Sequence, residues 1–218
     1  MPRRAAGINK SIRVGRALEL EYFTIGWSVI ETLVAIASGV RASSVALTAF
    51  GIDSGIELGT AAIIAVRLRS LITTGDANEV KERRALRAVA VGFYALALCV
   101  LVDASLSIAF QVHPDSSPFG IYITLAALVV MPALAFAKRR VAVGISNEHP
   151  VAAALMRTDA AETILCAVLS ATTLLGLVLN AGLGWWWADP VASLVIIFFA
   201  IREGREAWMG ELVCADDD

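Results

Sequence analysis

Asp53 and Glu57 stand one helical turn apart in the stretch Phe50-Gly51-Ile52-Asp53-Ser54-Gly55-Ile56-Glu57-Leu58. On a helix, side chains at i and i+4 share a face, so both carboxylates can offer oxygens to one ion. Glu162 and Cys166 repeat the spacing within Asp159-Ala160-Ala161-Glu162-Thr163-Ile164-Leu165-Cys166. If the two helices pack face to face, Asp53, Glu57, Glu162 and Cys166 surround one point. Three carboxylates and a thiolate suit a tetrahedral divalent ion such as zinc. Cys166 also has a plain alternative, since a thiol in an apolar run often packs as a small hydrophobe. Asp159, one turn before Glu162, and Asp103 are each either a proton relay behind these ligands or a hydrogen bond between packed helices.

The surrounding elements are those of a membrane protein. The chain has 218 residues, 58% of them hydrophobic, with a mean hydropathy of +0.72, well beyond an ordinary soluble domain. Apolar runs occupy residues 17–39, 44–70, 85–110, 119–137, 151–180 and 188–209, each near or above the ~20 residues that cross the hydrocarbon core as a helix. The expected fold is therefore all-α, with six transmembrane helices. A basic tail (1–16) precedes the six-helix domain (17–209), and a short acidic tail (210–218) follows it. No cleaved leader is expected, because no short apolar core with a small-residue cleavage site follows the basic N-terminus. Lys and Arg concentrate in the N-terminal segment, in the second and fourth connections and at the end of the last run, while the loops around His113–Pro118 and Asn180–Pro190 carry none. That asymmetry predicts cytoplasmic N- and C-termini in a multi-pass inner (plasma) membrane protein. Trp185-Trp186-Trp187 then falls at the outer interface, as an anchor.

Glu31, Asp53, Glu57, Asp103, Asp159 and Glu162 all lie inside apolar runs. A charge at mid-bilayer costs roughly 2.5–3.5 kcal/mol on an insertion scale, so such residues face a cavity, a partner, a proton or a cation. No Lys or Arg lies in the middle of the runs, and Arg157 is close to the start of its own, so ion pairing is not expected and a metal or a proton remains. Glu31 gives no clear reason to join the site. His113 and His149 read as solvated loop residues, and Cys214 with Asp216-Asp217-Asp218 as a solubilising tail. Met131-Pro132 predicts a kink, because proline removes a backbone donor.

These motifs resemble the cation diffusion facilitator (cation efflux) family, over residues 17–209. Asp53-Ser54-Gly55-Ile56-Glu57 is similar to the family's second-helix motif, acid or histidine, three residues, acid. Asp159-Ala160-Ala161-Glu162-Thr163-Ile164-Leu165-Cys166 is similar in spacing to its fifth-helix motif of Asp, two residues, His, three residues, Asp; Glu162 stands for the histidine and Cys166 for the aspartate. The Asp189-Pro190 before the last run resembles the family's fifth-to-sixth segment. The chain looks like a short bacterial branch without the C-terminal cytoplasmic domain. The resemblance implies a metal site between helices two and five.

The expected function is export of a divalent cation from the cytoplasm by proton antiport. Zinc is the expected ion, with cadmium, ferrous iron, manganese and cobalt as alternatives. The ion is cargo rather than a resident cofactor. The alternative is a membrane sensor or scaffold that binds metal without moving it. An enzyme is not expected, since no nucleophile–base pair, zinc-hydrolase motif or nucleotide loop occurs. No nucleic-acid partner is expected: the net charge of −2 says nothing on this point, and no basic-aromatic interleaving suggests one. Gly51, Gly55 and Gly59 form a small-residue stripe. With the resemblance it suggests a homodimer, and it equally permits close packing within one chain.

Overall fold

The apolar runs fold into six α-helices: α1 (Pro2–Ala42), α2 (Val45–Thr74), α3 (Glu79–Ala109), α4 (Pro118–Ile145), α5 (Pro150–Leu183) and α6 (Ala188–Met209). The computed structural model describes residues 2–74, 79–111, 115, 117–147 and 150–209, excepting the side chains of 2–13, 74, 79–86, 88–89, 103, 151, 154, 189, 192 and 207. No strand occurs among them. Five helices, α1 to α5, hold a stretch long and apolar enough to span a bilayer. The basic segment expected as a tail is helical from Pro2 onward and continues into the first apolar run without a break.

Short connections with strong local signals set the hairpins. Ser43 adopts φ +51°, the left-handed conformation that ends a helix, and its neighbour's amide, Ser44 N–H, donates to Gly39 O at 3.0 Å. Ser44 Oγ then accepts from Leu47 N–H at 3.2 Å and starts α2. Ser117 caps α4 in the same way, accepting from Gly120 N–H at 3.1 Å ahead of Pro118 in the first turn. Gly184, at φ +67°, ends α5. Asp115 N–H donates to Ala42 O at 2.8 Å, so the first and third connections meet at one end of the bundle. By antiparallel order the fifth connection lies at the same end. There Trp185 and Trp187 stack at 5.2 Å, both largely exposed.

The tightest helix pairs are α1 with α2, α4 with α5 and α3 with α6. α2 is central and also touches α3, α5 and α6. The polarity of the bundle is reversed relative to a water-soluble protein. Tyr22, Phe23, Leu33, Val129, Phe136 and Leu175 point outward, while Glu21, Glu31, Asp53, Glu57, Lys138, Asp159 and Glu162 are buried. A large exposed apolar surface around a charged interior is stable in lipid and not in water. On α1 the buried positions among the described side chains are Val14, Ala17, Glu21, Thr24, Ser28, Glu31, Ala35, Gly39 and Ala42. Their three- and four-residue steps form one seam, as in a coiled coil.

Close approach of α1 and α2 rests on two glycines. A Cβ at Gly51 would stand 2.7 Å from Ile36 Cγ1 and 2.8 Å from its backbone nitrogen, and one at Gly39 would stand 2.7 Å from Thr48 N. Gly59, in the same stripe, has nothing within 4 Å. Overpacking of this kind costs about 1–3 kcal/mol. Gly51→Val is therefore expected to lower the thermal unfolding midpoint of the detergent-solubilised protein by several degrees, at about 2–4 °C per kcal/mol. Gly59→Val is expected to leave the midpoint in place. Equal midpoints for the two variants would show that α1 and α2 do not pack at Gly51.

Candidate metal centre

Asp53 and Glu57 project from α2, and Glu162 and Cys166 from α5, onto facing sides of two packed helices. All four are buried: Glu57 and Cys166 at 0% exposure, Asp53 and Glu162 at 5%. Asp53 lies against the Cys166 thiol. Glu162 Oε1 is 3.2 Å from Thr60 Oγ1, which ties the α5 acid to α2 one turn beyond Glu57. The expected residues thus occupy one buried region between α2 and α5.

The tightest convergence there involves a third helix. Ligand atoms of Glu31, Glu57 and Cys166 all lie within 4.8 Å of one another. Two ligands of one zinc ion are at most about 4.5 Å apart, given bonds of roughly 2.0–2.3 Å, so a small inward rotation of these side chains closes the group on an ion. Ser28, one turn before Glu31, donates through Oγ to Glu57 Oε2 at 3.0 Å and fixes that carboxylate. Glu31 is fully buried, and both its oxygens lack a hydrogen-bond partner, as do Glu57 Oε1 and Glu162 Oε2. Buried carboxylate oxygens are normally satisfied. Here four of them are left open, and a charge on such an oxygen is costly unless a cation or a proton compensates it.

Glu31 is not among the metal ligands expected from the sequence, where it poses the same choice as Asp159 and Asp103 between a proton relay and a packing hydrogen bond. Its signal lies in the α1 seam, where Glu21, Thr24, Ser28 and Glu31 recur at helical spacing inside an apolar run.

The expectation that ion pairing is unavailable is overturned. The sequence placed Lys138 in the connection after a run ending at 137. The structure extends α4 to Ile145 and buries Lys138 completely. Its ammonium pairs with Asp159 of α5, approaches Glu21 of α1 at 3.8 Å, and donates to Thr163 Oγ1 at 3.2 Å. The reason is length. Arg139 and Arg140, the next residues, remain exposed, while Lys138 faces the helices packed on α4. Asp159 therefore has a lysine partner, which accounts for its burial without a metal. Lys138 is taken up by this contact, so the acids above it have no salt-bridge partner among the described residues.

Asp103 is on α3, but its side chain lies outside the described residues, as do His113, His149, Cys214 and Asp216–Asp218. Cys99 is exposed, and Arg157 is exposed near the start of α5. No family model matches the chain, and no curated protein matches it.

If Cys166 is a ligand, cadmium should report it. In a variant with Cys99 and Cys214 replaced by Ser, Cd²⁺ is expected to produce a thiolate-to-metal charge-transfer band in the near ultraviolet. The band is expected to vanish in Cys166→Ser and to need at least tenfold more Cd²⁺ in Glu31→Gln. A band that persists unchanged in Glu31→Gln would remove α1 from the site.

Proposed function

We propose that this protein is a secondary transporter that exports a divalent metal ion, zinc foremost, through a multi-pass membrane bundle in exchange for protons. The observation that carries the reading is the set of open carboxylate oxygens on Glu31, Glu57 and Glu162, gathered with Cys166 and Asp53 in a fully buried place. The resemblance of the two helix motifs to the cation efflux family supports the same reading, and so does the apolar exterior of the bundle.

The chemistry follows from burial. An isolated charged carboxylate in a low-dielectric interior is costly, and a neutral one much less so. With no metal present, the site acids hold protons. A divalent ion requires deprotonated ligands, so its binding releases those protons. Glu57 and Glu31 supply hard oxygen donors, and Cys166 adds a soft donor that favours zinc and cadmium over magnesium and calcium. Ser28 and Thr60 orient Glu57 and Glu162 by hydrogen bonds, as outer partners of metal ligands commonly do. Exposure of the site to each side in turn then moves metal outward and protons inward.

Proteoliposomes loaded with a pH dye test this. Wild type is expected to move zinc with an opposing proton flux, and Glu57→Gln to lose both. Ser28→Ala, which removes only the orienting hydroxyl, is expected to weaken metal affinity by ~10–100-fold. If folded wild type binds zinc but moves none, the protein is a metal sensor or scaffold and the transport reading fails.

A further inference from the structure

A second pair of buried carboxylates adjoins the metal centre, one helical turn along α5 from Glu162. Glu21 of α1 and Asp159 of α5 face each other, both at 0% exposure. Glu21 is ten residues before Glu31 and Asp159 seven before Cys166. At 1.5 Å per residue Glu21 lies roughly 15 Å along α1 from Glu31, and Asp159 roughly 10 Å along α5 from Cys166, while Thr163, the hydroxyl to which Lys138 donates, stands beside Glu57. Two like charges in a dry interior need a cation between them or a proton on one of them. Here that cation is covalently attached: Lys138 reaches in from α4.

The ammonium fits this place incompletely. It has three hydrogens; Asp159 and Thr163 are within its hydrogen-bonding reach, and Glu21 is within ion-pair reach only. The Glu21 contact, at 3.8 Å, is an ion pair without a hydrogen bond, and both Glu21 oxygens remain without a hydrogen-bond partner. One unit of positive charge is set against two carboxylates. Those acids on two helices, with the Thr163 hydroxyl beside them, are a donor set a divalent ion would accept.

We propose that Lys138 is a tethered cation occupying a second carboxylate site, formed by Glu21 and Asp159, and that its ammonium limits the bundle to one exchangeable metal ion. The charge stays in the protein, so this second pair cannot compete with the first for the arriving ion. From the preceding reading the inference takes only that the bundle binds divalent metal.

The test is binding stoichiometry. Chelator-stripped protein in detergent is equilibrated with zinc, and bound metal per chain is measured for wild type, Lys138→Met, Lys138→Gln, Lys138→Arg and the triple variant Lys138→Met/Glu21→Gln/Asp159→Asn. Lys138→Met and Lys138→Gln are expected to take up one zinc more per chain than wild type. The triple variant is expected to lose that extra ion, and Lys138→Arg never to gain it. Removal of the ammonium also leaves two buried acids unpaired, so the Met and Gln variants are expected to melt at higher temperature with zinc than without. Recovery of folded protein only with zinc present supports the proposal equally. Folded Met and Gln variants with no extra ion overturn it. So does a failure of both to fold even with zinc, or an extra ion in Lys138→Arg. The gain is counted from wild type. Zero ions in wild type would sink the first site while leaving the second to be read on its own.

Discussion

The constraint on which the rest depends is the cost of charge inside a low-dielectric bundle. Glu21, Glu31, Asp53, Glu57, Asp159 and Glu162 occupy the interior with a single ammonium, Lys138, among them. An uncompensated ion there is worth several kcal/mol of destabilisation, so the arrangement persists only if protons or metal ions occupy the remaining positions. The outer surface, by contrast, is ordinary for lipid, with Tyr22, Phe23, Leu33 and Phe136 facing outward.

The fold delivers this interior by economical means. The α1 seam alternates small residues and polar ones, so α1 packs closely at Ala17 and Ala35 while presenting Glu21, Ser28 and Glu31 to its neighbours. Gly39 and Gly51 let α1 and α2 approach until Ser28 reaches Glu57. α2 and α5 meet in the middle, where Thr60 and Glu162 join them. Elsewhere Ser and Thr hydroxyls largely return to their own helix carbonyls, as Ser54 does to Phe50 O and Ser170 to Cys166 O. Few hydroxyls therefore reach the open carboxylates.

Asp159 illustrates how one residue can be read two ways. In the motif that resembles cation efflux proteins it stands at the first acidic position of the fifth helix. In the structure its carboxylate is held by Lys138, and Thr163 donates to its backbone carbonyl at 2.9 Å. The motif's spacing is preserved while the first acid serves a fixed internal charge. The acids nearer Cys166 stay open.

Helix number, apolar character and the two i, i+4 pairs on α2 and α5 were legible in the amino-acid order, because each depends on local hydropathy or on spacing within one segment. The turns at Ser117-Pro118 and Gly184 fall where the breaks between apolar runs do, whereas α1 runs past the end of its run at residue 39 and turns only at Ser43-Ser44. Two things were decided only by tertiary structure. Glu31 became part of the site because α1 packs against α2 with that face inward, which depends on a partner helix and not on the spacing of Glu31 from other acids. Lys138 became an interior charge because α4 runs on to Ile145. In sequence it is the first of three consecutive basic residues, Lys138-Arg139-Arg140. Successive helical residues differ by about 100° in direction, so only the contact with α1 and α5 determines which of the three turns inward.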